Sequence, residues 1–463
     1  MRCINKIGFA LVLWLCLMFN IKALGTVNDN DGFLYGGQLN DILYDIDFFS
    51  DGKYVVVGET KSTFREIVNN DTSAVGTDGV VAIFDKDNKL LKEFSWNNND
   101  GQTIESFNAV KVIDDNSFLV CGLTTTTPHC MKYNLSGELI WEVTLGTDAV
   151  EDEDAFDIFM TSDNRFIVSC GSVTSKIFII NNDGTDVQTV QLAENGYSDV
   201  DVKSITEYNG KYILAGDKNF LGSTAFTILN QDGTIADQVT FGVDTSSVIE
   251  DVKVYGDNLV ITVNTGVCNS NCEHVFGKDS NQGSIALIDS SYKVKKYTEF
   301  GVVTSHSSLQ ILEDGTIAVT INSAGTDSYV NYYDKDLNLL ASKKYKGNTN
   351  VRFNKTAINP LNKQLYIVGS LQGSYGDLTA AGESDGLVLA VNMVPMDDAS
   401  HEAVDPTPEV PSVEPVAEQP QQQKKEDNPK TGAFVTVGVI TLLVIMTIVV
   451  LVKGRIRGRI FNI

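Results

Sequence analysis

The run Tyr54-Val-Val-Val-Gly58 decides the fold, because it returns along the chain. An aromatic residue, a short aliphatic stretch and a glycine recur at Phe118-Leu-Val-Cys-Gly122, Phe166-Ile-Val-Ser-Cys-Gly171, Tyr212-Ile-Leu-Ala-Gly216 and Tyr366-Ile-Val-Gly369. Weaker forms occur at Leu259 to Asn264 and Ile317 to Asn322. Apolar runs this short, bounded by turn residues, read as buried strands. An apolar strand and a tight turn such as Asp51-Gly52, Asn209-Gly210 or Asp314-Gly315 precede each run. A second hairpin follows: Val80 to Phe94 around Asp87-Asn88, Met131 to Leu145 around Ser136-Gly137, Ile177 to Leu192 around Asp183-Gly184, and Phe226 to Phe241 around Asp232-Gly233. Residues 26–396 show no convincing helical period.

Four strands to a unit, seven units and roughly fifty residues in each are the arithmetic of an all-β, seven-bladed β-propeller. Eight blades or a β-helix is the alternative count. The seventh unit has strands near Phe353 to Ile358, Gln364 to Gly369 and Gly386 to Asn392, and no fourth. Asp31-Gly32-Phe33-Leu34-Tyr35 is similar to the fourth-strand phrase Ser136-Gly137-Glu138-Leu139-Ile140-Trp141, so the N-terminal strand is expected to complete the last blade and cover two open edges. The phrase from Asn134 to Trp141 resembles the degenerate propeller repeats of the quinoprotein-like group. The resemblance implies the architecture; the tryptophan docking pattern of the quinone enzymes is absent, so it implies no cofactor.

The two ends carry addresses. Arg2 and Lys6, an apolar run from Ile7 to Phe19 and small residues at Ala23 and Gly25 make residues 1–25 a secretory signal. Residues 433–452 are uncharged and long enough to cross a bilayer, and the basic tail 453–463, with Lys453, Arg455, Arg457 and Arg459, is expected to stay cytoplasmic. Asn428-Pro429-Lys430-Thr431-Gly432, the apolar span and the basic tail together resemble the cell-wall sorting signal of Gram-positive surface proteins. That resemblance implies sortase and peptidoglycan as partners, with cleavage between Thr431 and Gly432; Asn428 stands where Leu is usual, which leaves the sortase class open. A plain single-pass membrane anchor is the alternative. Residues 397–427 are rich in proline and acid and read as a stalk.

The chain has 35 basic and 60 acidic side chains, a formal net charge of −25. Both terminal segments are basic, so removing them leaves 28 basic and 60 acidic residues, a net of −32. Such a surface argues against nucleic acid as a partner.

Candidate sites follow from the strand order. The tight turns crowd one face, while the opposite face carries insertions at Thr60 to Asp78, Thr265 to Gly283 and Ser370 to Asp385. Phe64, Arg65, His274, Phe276, Tyr375 and Asp377 are the contact groups expected on that rim. The innermost strands begin on the same face with Asp45, Asp157, Asp201 and Asp251, where Asn108, Ser308 and Asn354 take roughly corresponding places. Converging carboxylates there could hold Ca²⁺ or a basic partner; equally, they could cap turns and face water. Asp85-Lys-Asp87-Asn and Asp334-Lys-Asp336-Leu-Asn338 read as hairpin turns. Cys121 and Cys130 flank a hairpin loop and Cys268 and Cys272 an insertion; disulfides, free thiols, or a metal shared with His274 are all open, and Cys170 reads as a buried thiol.

There is no nucleophile motif, phosphate loop or metalloprotease helix. The expectation is a surface-displayed, non-catalytic module that binds a protein or glycan on its loop-rich face. An extracellular carbohydrate-active or quinoprotein-like enzyme, and a structural or sensor ectodomain, are the alternatives.

Overall fold

Alternating blocks of fully and half-buried strands already imply sheets stacked side by side. A computed structural model of the protein describes residues 26–69, 76–97, 104–124, 127–146, 154–171, 176–193, 200–218, 223–242, 247–264, 276 and 282–394. The signal, stalk, sorting and membrane segments, together with Cys268, Cys272 and His274, lie outside the described residues. Among the described residues every regular element is a strand, and no helix is long and apolar enough to cross a membrane.

Strands pair antiparallel in chain order. Asp41–Phe48, Tyr54–Thr60, Asp78–Phe84 and Leu90–Trp96 form one four-stranded sheet, and the pattern repeats from Glu105–Asp114, Asp154–Met160 and Val200–Tyr208. The next two units are not separate sheets. Val294–Ile311 pairs with Gln282–Ile288 through its first part and with Ile317–Ser323 through its second, so one seven-stranded sheet runs through both. Within each unit the inner strands are the apolar ones. All seven residues of Asp78–Phe84 are buried, whereas Leu90–Trp96 buries only its Glu93. Both faces of the former meet neighbouring sheets, which explains its unbroken apolar run.

The first strand of each unit touches the first strand of the next, from Asp41–Phe48 round to Asn350–Ile358, which touches Asp41–Phe48 again. Apolar clusters fill the spaces between successive sheets, and one of them joins Tyr366, Val368 and Val388 back to Ile46, Tyr54 and Val80. This is a repeat fold of propeller type. The closing strand Thr26–Tyr35 pairs with Asp385–Val394, Leu34 opposite Leu387, and is the outer strand of the last sheet. Asp29 ties it sideways, accepting hydrogen bonds from Tyr345 Oη at 2.6 Å, Lys343 Nζ at 2.7 Å and Tyr375 Oη at 2.9 Å.

The recurring glycine has a local cause. Each innermost strand carries a β-bulge in which one extra residue leaves the ladder: Tyr44, Asn108, Phe156, Lys203, Glu250, Ser305 and Asn354. The kink drops a carbonyl oxygen onto the second strand. A Cβ built on Gly58, Gly122, Gly216 or Gly369 would lie 1.8–1.9 Å from the oxygen of Ile42, Ser106, Asp201 or Arg352. Only glycine fits those four approaches. In the sixth unit the bulge falls between Thr304 and His306, two residues before the corresponding place, and Ile321 holds the glycine position opposite Ser307. Cys170 and Val263 occupy the position in the third and fifth units, and nothing in the structure explains their tolerance.

Gly58→Ala should therefore cost about 1–3 kcal/mol through overpacking against backbone. Gly325→Ala, whose Cβ would have only Ser323 Oγ at 3.5 Å within contact range, should be near neutral. Denaturant melts of both variants check this; equal losses would remove the close approach as the reason for the glycine.

Candidate functional site

A bulge turns one residue per innermost strand out of the ladder, and these residues meet. Tyr44, Asn108, Lys203, Glu250, Ser305 and Asn354 line one cavity of about 770 Å³. Glu59, Ile104 and Leu123 border it as well, which puts its mouth on the side where the long connections leave the sheets.

The residue that re-enters the ladder beside the bulge forms the layer beneath. Asp45, Ala109, Asp157, Ser204, Asp251 and Lys355 hold this place, and in the sixth unit, where His306 re-enters, Ser308 does so two residues later; each lies opposite the same position of the second strand. The structure brings three of the expected carboxylates into one layer and removes the fourth. Asp201 lies before the bulge, where it pairs with Lys203 Nζ at 2.9 Å, and Ser204 occupies the layer instead. Asp201 precedes Ser204 by three residues, an offset that alternation along a strand does not reveal.

The three aspartates act first as clasps between neighbouring innermost strands. Val110 N–H donates to Asp45 Oδ2 at 2.8 Å, Ile205 N–H to Asp157 Oδ2 at 2.9 Å and Leu309 N–H to Asp251 Oδ2 at 2.9 Å. Asp251 also accepts from Ser204 Oγ, Val252 N–H and Lys253 Nζ, each at 2.9 Å, and from Ser308 Oγ at 3.1 Å. Their charge is answered by Lys355, whose Nζ lies 3.6 Å from Asp157 Oδ1. Burial works against the lysine's charge, but Asp157, Asp251 and Asp45 hold its pKa well above the ordinary value. Burial pushes Asp45 up to about 7 despite Lys355 and two backbone N–H groups. At Asp251 burial also acts upward, yet Lys253, Lys355 and the Leu309 N–H bring the carboxyl down to about 2. The cation among these acids is thus a side chain of the protein. Among the described residues no group of three or more His, Cys, Asp and Glu is arranged to hold a metal.

His306 lines the same cavity. Its Nδ1 lies 2.9 Å from Glu250 Oε2 and its Nε2 2.6 Å from the Asn354 carbonyl oxygen. Both partners are acceptors, so the imidazole donates from both nitrogens and is cationic. Burial opposes that charge, but Glu250 and the Asn354 carbonyl raise its pKa above 6.5. Neither His306 nor Lys355 is visible to motif reading, because their partners come from other units.

The rim residues are mostly fasteners. Arg65 Nε and Nη2 donate to the buried Glu93 at 2.8–3.0 Å, Tyr35 Oη donates to the same carboxylate at 2.9 Å, and the guanidinium covers the Tyr35 and Phe64 rings at 4.7 Å. Phe64 and Arg65 therefore lock an insertion against the closing strand. Phe276 is buried on Phe241, ring centroids 5.7 Å apart. Tyr375 bonds Asp29, and Asp377 is exposed at the tip of the small hairpin Ser374–Tyr375 and Leu378–Thr379. Asp85 Oδ1 accepts the N–H groups of Asp87 and Lys89, and Asp334 Oδ1 those of Asp336 and Asn338, as hairpin turns require. Cys121 and Cys130 are direct cross-strand neighbours joined by a disulfide, Cα atoms 4.2 Å apart. Cys170 is buried in the adjoining apolar cluster.

No protein-family model and no curated protein matches the chain. Among solved structures it is similar to Raptor of Chaetomium thermophilum, at 14% identity and a TM-score of 0.49, over 81% of this chain and 30% of that one. It is also similar to the Pan2 WD40 domain of Neurospora crassa, at 11% identity and 0.46, over 81% and 98% of the respective chains. A protein of unknown function from Bacteroides caccae aligns at 11% identity and 0.37, over 57% and 94%. At these scores none bears on function.

Two outcomes follow from the axial charges. Asp251→Asn should cost about 3–5 kcal/mol, as when one partner of a buried ion network is removed, and Asp201→Asn less, since its one ion-pair partner is Lys203. Because Asp251 titrates below its ordinary 3.8, its contribution is full above about pH 4 and is lost as pH falls toward 2. His306 has the opposite sign: its raised pKa makes its contribution full below about pH 6.5 and lost as pH rises through the folded value. Chemical melts of wild type and His306→Gln between pH 5 and 9 should converge at the alkaline end. A constant gap would refute the imidazolium.

Proposed function

We propose that the chain is a cell-surface binding module built on a seven-bladed β-propeller, with its ligand received in the cavity at the loop-bearing end of the axis. The observation that carries this reading is the cavity itself. Six extra residues, each contributed by a different innermost strand, converge on it, and such convergence gives one site access to chemistry from almost every unit. Seven blades follow if Val294–Ile311 is counted as the outer strand of one unit and the innermost strand of the next. The ionisable groups around the cavity hold one another in fixed pairs, which favours binding over proton transfer.

The address completes the reading. Residues 1–25 direct export, residues 397–427 form a stalk, and Asn428 to Gly432 with the apolar span 433–452 and the basic tail direct a sortase to join Thr431 to peptidoglycan. The Cys121–Cys130 disulfide is in keeping with an oxidising exterior. The partner is a protein or glycan outside the cell.

Mass spectrometry of peptides released from cells by a wall hydrolase tests the address. A C-terminal peptide ending at Thr431 and carrying a wall fragment is the expected product; a peptide ending at Ile463 would replace sorting with a simple membrane anchor. Binding is tested on cells displaying the protein, where Asn108→Trp, which fills the cavity mouth, should abolish capture of the partner without lowering display.

A further inference from the structure

A bulge residue leaves the ladder with its backbone groups unspent, and the wall of the cavity joins such groups across units. Glu250 in the fifth unit and Asn354 in the seventh are bulge residues, and His306 of the sixth stands between them. Asn264 Nδ2 donates to Glu250 Oε1 at 2.6 Å and fixes the carboxylate. Glu250 Oε2 takes one side of the imidazole and the Asn354 carbonyl oxygen the other. Asn354 Nδ2 carries the series on to the Leu43 carbonyl of the first unit at 2.7 Å. One run of hydrogen bonds thus ties four units together along the cavity wall.

The run needs two protons on the ring. A neutral imidazole has one N–H, and both of its neighbours accept. Ionised Glu250 is the stronger acceptor and keeps the proton on Nδ1. A deprotonated ring then turns the Nε2 lone pair toward the Asn354 carbonyl at 2.6 Å, a distance that only a hydrogen bond sustains. Protons reach the ring from solvent, since its side chain is 35% exposed and lines the cavity. The other charges nearby are committed elsewhere: Asp251 to Lys253 and Ser308, Lys203 to Asp201, Lys355 to Asp157, and Arg352 to the Ser323 and Gly325 carbonyls, while Glu59 also has a partner. Lys355 opposes the imidazolium, and Glu250 is the carboxylate that sustains it.

Resting on the reading of the cavity as a binding site, we infer that His306 is a proton-operated latch of that site: the doubly donating ring holds the wall between the sixth and seventh units in the shape described, and loss of the Nε2 proton frees Asn354 and the wall with it. The latch is closed below about pH 6.5 and opens as pH rises through the folded value.

Imidazole ¹⁵N spectra of the full-length chain, labelled at its four histidines and recorded from pH 5 to 9, test this, with His306→Gln identifying the signals. Both His306 nitrogens should be protonated in acid, and Nε2 should then lose its proton while Nδ1 keeps it. Hydrogen exchange in peptides spanning 303–308 and 350–356, corrected for the chemical rate, should become about 3- to 10-fold faster across the same transition, as for one lost hydrogen bond. His306→Gln should abolish that step, and Glu250→Gln, which removes the carboxylate that sustains the charge, should move it to lower pH. A neutral ring that keeps its proton on Nε2, exchange indifferent to the transition, or a step that survives His306→Gln or stays in place in Glu250→Gln would each overturn the latch. These readouts use no ligand, so their failure leaves the binding reading intact, whereas partner capture that survives Asn108→Trp removes the binding reading and leaves the latch.

Discussion

Much of this molecule depends on how closely two backbones approach. Where the innermost strand of a unit bulges, its carbonyl oxygen descends to a distance that no side chain at Gly58, Gly122, Gly216 or Gly369 would permit. The bulge is what turns Tyr44, Asn108 and their counterparts away from the sheets and toward a shared space. In these four units a residue without a side chain on one strand accommodates the bulge that turns a side chain out of its neighbour. The glycine recurs in four units, while the residues turned out by the bulge vary more: an aromatic, two asparagines, a lysine, a glutamate and a serine line one cavity.

Under the cavity, the axial layer answers a different requirement. First strands of neighbouring units meet without forming a continuous ladder, so some of their N–H groups need acceptors from elsewhere. Asp45, Asp157 and Asp251 provide them, and their accumulated negative charge would be prohibitive without Lys355. Like environments nevertheless give unlike acids. Asp251, with five donors, stays ionised far into acid, whereas Asp45, with fewer, is raised to near neutrality. A second lysine, Lys253, beside Asp251 and absent from Asp45, tips the balance between desolvation and charge at these two positions.

How much of this could be read in advance depended on whether the signal was local. Strand runs, Asp-Gly and Asn-Gly turns and the closing phrase from Asp31 to Tyr35 are local, and the sheet pairings follow them. The fusion of two units through Val294–Ile311 was hidden because the connecting residues are themselves of strand-forming type. At the site, Asp45, Asp157 and Asp251 were legible as acids at strand starts, but Asp201 lies three residues before Ser204, which holds the layer in its strand. Lys355 and His306 were missed because their meaning lies in partners from other units. Phe64, Arg65 and Phe276 were assigned to a rim because they fall in insertions; Phe276 is buried on Phe241, whereas Arg65 reaches the buried Glu93 while staying exposed itself.

The position of Asp385–Val394 within the last sheet has a mechanical consequence. This strand is flanked on one side by Leu365–Gln372 and on the other by Thr26–Tyr35. A force applied along it acts across its hydrogen bonds, so the bonds of both ladders share the load together instead of opening one after another. The strands Thr26–Tyr35 and Asp385–Val394 are thereby made into a single shear-loaded joint.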